Sequence, residues 1–87
     1  MMPRSSKALT AAEVEQITRP GRHAVGGVTG LALKVNAKGY RSWVLRTTVA
    51  GKRREFGLGP VPSITLNQAR HRARIKLDQL FRQEHEQ

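Results

Sequence analysis

Between Leu31 and Gly59 the chain repeats one rhythm three times: apolar side chains at alternate positions, then a short polar or glycine-bearing break. Leu31, Leu33 and Val35 alternate with Ala32 and Lys34, the period of a strand with one face buried. Asn36-Ala37-Lys38-Gly39 supplies turn chemistry, with Gly39 free to take positive φ. The run from Arg41 to Val49 sets Trp43, Leu45 and Val49 on one side and Ser42, Arg46 and Thr48 on the other. Ala50-Gly51-Lys52 reads as a second tight turn, after which Phe56 and Leu58 share one side of a third strand. The pattern predicts a three-stranded antiparallel sheet, apolar on one face and cationic on the other.

The flanks predict what covers the apolar face. Thr65-Leu66-Asn67-Gln68 has capping-box spacing, and Pro60-Val61-Pro62 blocks helix before it, so a helix is expected to start at Leu66. Its apolar stripe is Leu66, Ala69, Ala73, Leu77 and Leu80, with Phe81 beside it and Ile75 pointing away. The small side chains at Ala69 and Ala73 let such a helix lie close over Trp43 and Phe56. Thr10-Ala11-Ala12-Glu13 is a second capping box, which predicts a short helix from about Ala11 to Ile17, ended by Pro20-Gly21. Arg22 to Gly30 is glycine-rich and reads as a loop with a brief edge strand at His23 to Val25. The expected class is therefore α+β, a three-stranded antiparallel sheet packed on one face by a C-terminal helix. A flexible basic tail is expected over residues 1–9, a single domain over 10–84, and a tail over 85–87 leading to further domains.

Charge sharpens the functional reading. The 87 residues carry 16 Lys plus Arg against 6 Asp plus Glu, a net +10, which points to a polyanionic partner. From Leu31 to Gly59 there are seven cations (Lys34, Lys38, Arg41, Arg46, Lys52, Arg53, Arg54) and one acid, Glu55, so positive charge is least compensated on the expected sheet. A chain this short has room for one core and no deep cleft. It contains no cysteine, which excludes disulfides and thiolate metal sites. His23, His71 and His85 are scattered, with no acid and nucleophile spaced to make a catalytic triad, so neither catalysis nor a cofactor is expected. Without an apolar run of signal or membrane length, a cytoplasmic location is expected.

A two- or three-stranded ribbon is narrow enough for the major groove of duplex DNA, where alternate side chains meet base edges and turn cations meet phosphates. On that scheme Lys34, Ser42, Arg46 and Thr48 face base edges, Arg46 foremost, because a guanidinium can pair bidentately with guanine. Arg53 and Glu55 extend the same parity onto the third strand, while Lys38, Arg41, Lys52 and Arg54 sit at turns or strand ends, where phosphates run. Arg41 and Arg54 share the parity of the buried residues and must lie beyond the core edge to serve. Two alternatives stand beside DNA. The order helix, three strands, helix also describes a double-stranded RNA-binding domain, although Thr65-Leu66-Asn67-Gln68 lacks the lysine-rich helix start of that family. A protein-interaction module could instead add a partner's strand at the sheet edge.

Taken together, Gly30-Leu31-x-Leu33-x-Val35, Ser42-Trp43-Val44-x-Arg46, Gly51-Lys52-Arg53-Arg54, Leu58-Gly59 and Leu66-x-x-Ala69-Arg70 resemble the N-terminal arm-type DNA-binding domain of phage-like tyrosine recombinases, the integrases of prophages and genomic islands. The resemblance spans roughly Lys7 to Leu80. It implies a three-stranded sheet backed by a C-terminal helix, binding of double-stranded DNA at arm-type sites, and other integrase protomers as partners in a recombination complex. It also implies that the catalytic domain lies outside this chain, since nothing here matches the family's catalytic residues. Val25 stands where an aspartate is common, and Ala32 and Thr47 stand where aromatics are common.

Overall fold

A computed structural model describes residues 8–85, with the order α1 (Ala11–Glu15), β1 (Gly21–Ala24), β2 (Leu31–Val35), β3 (Arg41–Val49), β4 (Lys52–Pro60) and α2 (Leu66–His85). Most of the expected basic tail and the last two residues lie outside the described residues. Leu9 is half-buried, and its backbone N–H donates to Val25 O at 2.8 Å.

The sheet has four strands, not three, in the order β1-β2-β3-β4, all neighbours antiparallel. The additional strand begins at Gly21, two residues before the expected edge strand, and pairs Arg22 with Lys34 and Ala24 with Ala32. Its sequence shows it only in part, as the brief edge strand expected at His23 to Val25, because an edge strand with one solvated side needs little apolar alternation. In Gly-Arg-His-Ala only His23 is even half-buried. Val25, expected within that strand, lies just past it and is fully buried.

Both predicted turns form for the reasons their residues suggest. Asn36 Oδ1 accepts from the N–H groups of Lys38 and Tyr40, each at 2.9 Å, closing the β2–β3 connection. At the β3–β4 tip Ala50 and Gly51 have φ of 52° and 82°, the double positive φ of a type I′ hairpin turn. Both capping boxes close as well. Thr10 Oγ1 accepts from Glu13 N and Glu13 Oε1 from Thr10 N; Thr65 Oγ1 accepts from Gln68 N and Gln68 Oε1 from Thr65 N.

The apolar face carries Leu31, Leu33, Val35, Trp43, Leu45 and Leu58, sealed by Leu66, Ala69 and Ala73 of α2. Leu58 is the extra residue of a bulge, since the β3–β4 register passes from Trp43↔Gly59 to Val44↔Gly57. Ala69 and Ala73 have no exposed surface, so the helix sits as close as their methyl groups permit. The Trp43 indole N–H donates to Ile64 O at 2.6 Å, which satisfies the one polar atom of the largest core side chain. Phe81, expected beside the stripe, is 60% exposed. It borders, with Leu77 and Leu80, an open gap under Thr47 near the end of a helix about 30 Å long. Among the described residues no helix is long and apolar enough to cross a membrane.

Candidate nucleic-acid interface

The face of the sheet away from α2 is read directly from the register. It presents Arg22 and Ala24 from β1, Ala32 and Lys34 from β2, Ser42, Val44, Arg46 and Thr48 from β3, and Arg53, Glu55 and Gly57 from β4. The β2–β3 ladder stops at Leu31↔Leu45, so Arg46–Val49 and Lys52–Glu55 continue past β2 as a two-stranded ribbon. Where that ribbon leaves the sheet lies an open groove of about 470 Å³, lined among others by Arg22, Ala32, Arg46, Thr48 and Arg53.

The structure sorts the sequence-predicted residues into three groups. Arg46, Thr48 and Arg53 stand together on the outward side of the ribbon, Thr48 opposite Arg53. All three are exposed, and neither guanidinium has a side-chain partner among the described residues. Lys52 and Arg54, opposite Val49 and Thr47, lie on the other side of the same ribbon and are exposed. The remaining residues lie elsewhere. Lys38 is in the β2–β3 turn at the far end of the sheet, and Ser42, half-buried, pairs with Pro60 near the same end. Arg41 turns to the helix side, where its guanidinium donates to the carbonyls of Val14 and Ile17 at 3.3 and 3.4 Å and binds the end of α1 to the sheet. Its burial-side parity already pointed there. Arg70 and Arg72 likewise donate to backbone carbonyls, Arg70 to Leu9 and Gly26 and Arg72 to Leu58.

One participant was not legible. Arg22 lies one residue before the expected edge strand, and with Lys34 it forms an ion cluster around Glu55. Arg22 Nη2 lies 2.5 Å from Glu55 Oε1 and Lys34 Nζ 3.2 Å from Oε2. Because β1 and β4 are the two edges of the sheet, the side chains of Arg22 and Glu55 have to cross over β2 and β3 to meet. Beneath that crossing Ala32 and Val44, cross-strand partners on a face no helix covers, are only 3% and 6% exposed. Ala32, which the strand alternation sets on the outward side, is thus covered. The hydrogen bonds from Arg22 and then Lys34 hold the Glu55 carboxyl below its ordinary pKa, so it is anionic at neutral pH.

The sheet and its ribbon therefore form two electrostatic regions. Over the four-stranded part, one acid is shared by two cations. On the ribbon, Arg46, Arg53, Lys52 and Arg54 are left without counter-ions among the described residues. Such a projection attracts a polyanion. No group of His, Cys, Asp and Glu among the described residues is arranged to hold a metal ion. A family model described as the Arm DNA-binding domain matches residues 9–85. A comparison with curated proteins finds no match.

Proposed function

The chain belongs to the arm DNA-binding domain family of phage integrases, and from that premise we propose that it binds duplex DNA sequence-selectively, with the β3–β4 ribbon leading the outward face into the major groove at an arm-type site. The observation that carries this reading is the ribbon itself, four cations without counter-ions among the described residues, on two strands that outrun the rest of the sheet. Geometry favours the ribbon over the whole face. Four strands at about 4.8 Å spacing put the outer backbones about 14 Å apart, more than the groove's width of about 12 Å, whereas a two-stranded ribbon fits. Arg46, Thr48 and Arg53 then face base edges, and Lys52 and Arg54 at the tip meet phosphates. Lys34, Ser42 and Lys38, toward the far end, meet the backbone where the sheet emerges from the groove. Arg41 is left to its structural role. In the parent protein this module serves DNA integration by a tyrosine recombinase whose catalytic domain lies outside the chain, in a complex with other integrase protomers.

The test separates base reading from phosphate attraction. A duplex enriched by the chain from a randomised pool and a scrambled duplex of the same length are titrated at several salt concentrations. Arg46→Ala is expected to cost about 1–3 kcal/mol on the enriched duplex and much less on the scrambled one. Lys52→Ala is expected to weaken both alike and to flatten the salt slope by about one. Equal losses on the two duplexes for Arg46→Ala contradict base reading. Duplex RNA is expected to compete poorly, because its deep, narrow major groove excludes the ribbon.

A further inference from the structure

Glu55 is the sole acid on the outward face among the described residues, and its direct cross-strand partner is Arg46. Side chains so placed have Cβ atoms about 5 Å apart, and opposite charges there ordinarily pair. In this structure they do not. Both carboxylate oxygens are taken, Oε1 by Arg22 and Oε2 by Lys34, and the Arg46 guanidinium has no partner among the described residues. The carboxylate is thereby drawn over β2 and β3 toward the far edge of the sheet, away from its cross-strand partner Arg46.

We propose that Arg22 is a positioning residue for sequence reading: with Lys34, it holds the Glu55 carboxylate off Arg46 and so keeps that guanidinium open to a base. This rests on the base-reading role of Arg46 proposed above. The physical argument is a competition. A guanidinium closed onto a carboxylate across the ladder has its planar fork occupied and its charge offset, and must break that pair before it can meet guanine O6 and N7. Two cations on two other strands prevent the closed pair in the free protein. The guanidinium therefore reaches DNA already open, with no ion pair to dissolve. Removing Arg22 frees Oε1, the oxygen with the shorter contact, and leaves Arg46, the direct cross-strand partner, to take it.

The experiment compares the 87-residue wild-type chain, Arg22→Ala, Glu55→Gln, Arg22→Ala/Glu55→Gln and Arg46→Ala. The readouts are the affinity ratio between the enriched and scrambled duplexes and the Arg46 Nε–Hε resonance without DNA. Arg22→Ala is expected to cut the ratio about tenfold, part of what one bidentate base contact is worth, and to shift the Arg46 resonance. Glu55→Gln in the same chain is expected to restore both, since no carboxylate remains to be captured. Lys34→Ala frees the other oxygen and acts in the same direction more weakly, which keeps the test alive should Arg22→Ala fail to fold. If Glu55→Gln leaves the Arg22→Ala loss unrepaired, or the Arg46 resonance does not move, Arg22 acts on DNA directly and the positioning role is wrong, while base reading by Arg46 stands. If Arg46→Ala itself leaves the ratio unchanged, the base-reading proposal fails and the positioning role falls with it.

Discussion

Gly30 and Gly39 offer a controlled comparison, because their backbones are alike and their surroundings are not. Their φ values are +90° and +91°, in the region that disfavours any side chain. Alanine at either site is therefore expected to cost about 1–2 kcal/mol for conformation alone. At Gly39 an added Cβ has nothing within 4 Å, so that is the whole effect. At Gly30 the Cβ would sit far inside contact distance of the Arg46 carbonyl oxygen, with the Arg46 carbonyl carbon at 3.3 Å. That carbonyl cannot easily retreat. Arg46 N donates to Gly30 O at 2.9 Å on one side, and Arg46 is paired with Glu55 on the other. Relief requires either giving up the Gly30–Arg46 hydrogen bond, about 0.5–1.5 kcal/mol, or accepting a steric strain of about 1–3 kcal/mol. Gly30→Ala should then lose about 1.5–5 kcal/mol in all, and at least about 0.5 kcal/mol more than Gly39→Ala. Denaturant titration of both variants at unchanged slope measures this difference directly. Equal midpoint shifts would refute the claim that Gly30 is required by close approach to Arg46 rather than by φ. The same clash displaces the residue proposed to read bases, so Gly30→Ala should also lose DNA discrimination while Gly39→Ala keeps it.

Two further outcomes follow from the core and from the ion cluster. Ala73→Leu should overpack the contact between α2 and the sheet, where Ala73 has no exposed surface, and cost about 1–3 kcal/mol; an unchanged melting temperature would show that the helix does not sit on its alanines. The Glu55 carboxyl has a pKa lowered by Arg22 and Lys34, so its ion pairs favour the folded chain above the ordinary carboxylate value, and that advantage is lost as pH falls through the lowered one. The gap in stability between wild type and Glu55→Gln, small because the group is largely solvated, is therefore expected to be full at pH 7 and to close under acid; a gap that widened on acidification would mean that Glu55 is not held as an anion.

The sequence determined whatever depends on neighbours along the chain. Leu31-x-Leu33-x-Val35, the Asn36 and Ala50-Gly51 turns and the two Thr-led capping boxes each carry their instruction within a few residues, and all formed as expected. The parity that set Arg46, Thr48 and Arg53 on one side was legible for the same reason, since a strand's period needs no partner to be read. Tertiary structure decided what depends on which strands meet. β1 exists as a strand because β2 offers it a ladder, not because Gly-Arg-His-Ala favours extension. Only that pairing brought Arg22, 33 residues away in sequence, to Glu55. It also divided cations that look alike in sequence: Arg41, Arg70 and Arg72 bind carbonyls, Arg22 and Lys34 share an acid, and the ribbon's four have no counter-ion among the described residues. Charge counted along a chain cannot make that division, because a side chain's partner is fixed by distance in the fold and not by separation in the sequence.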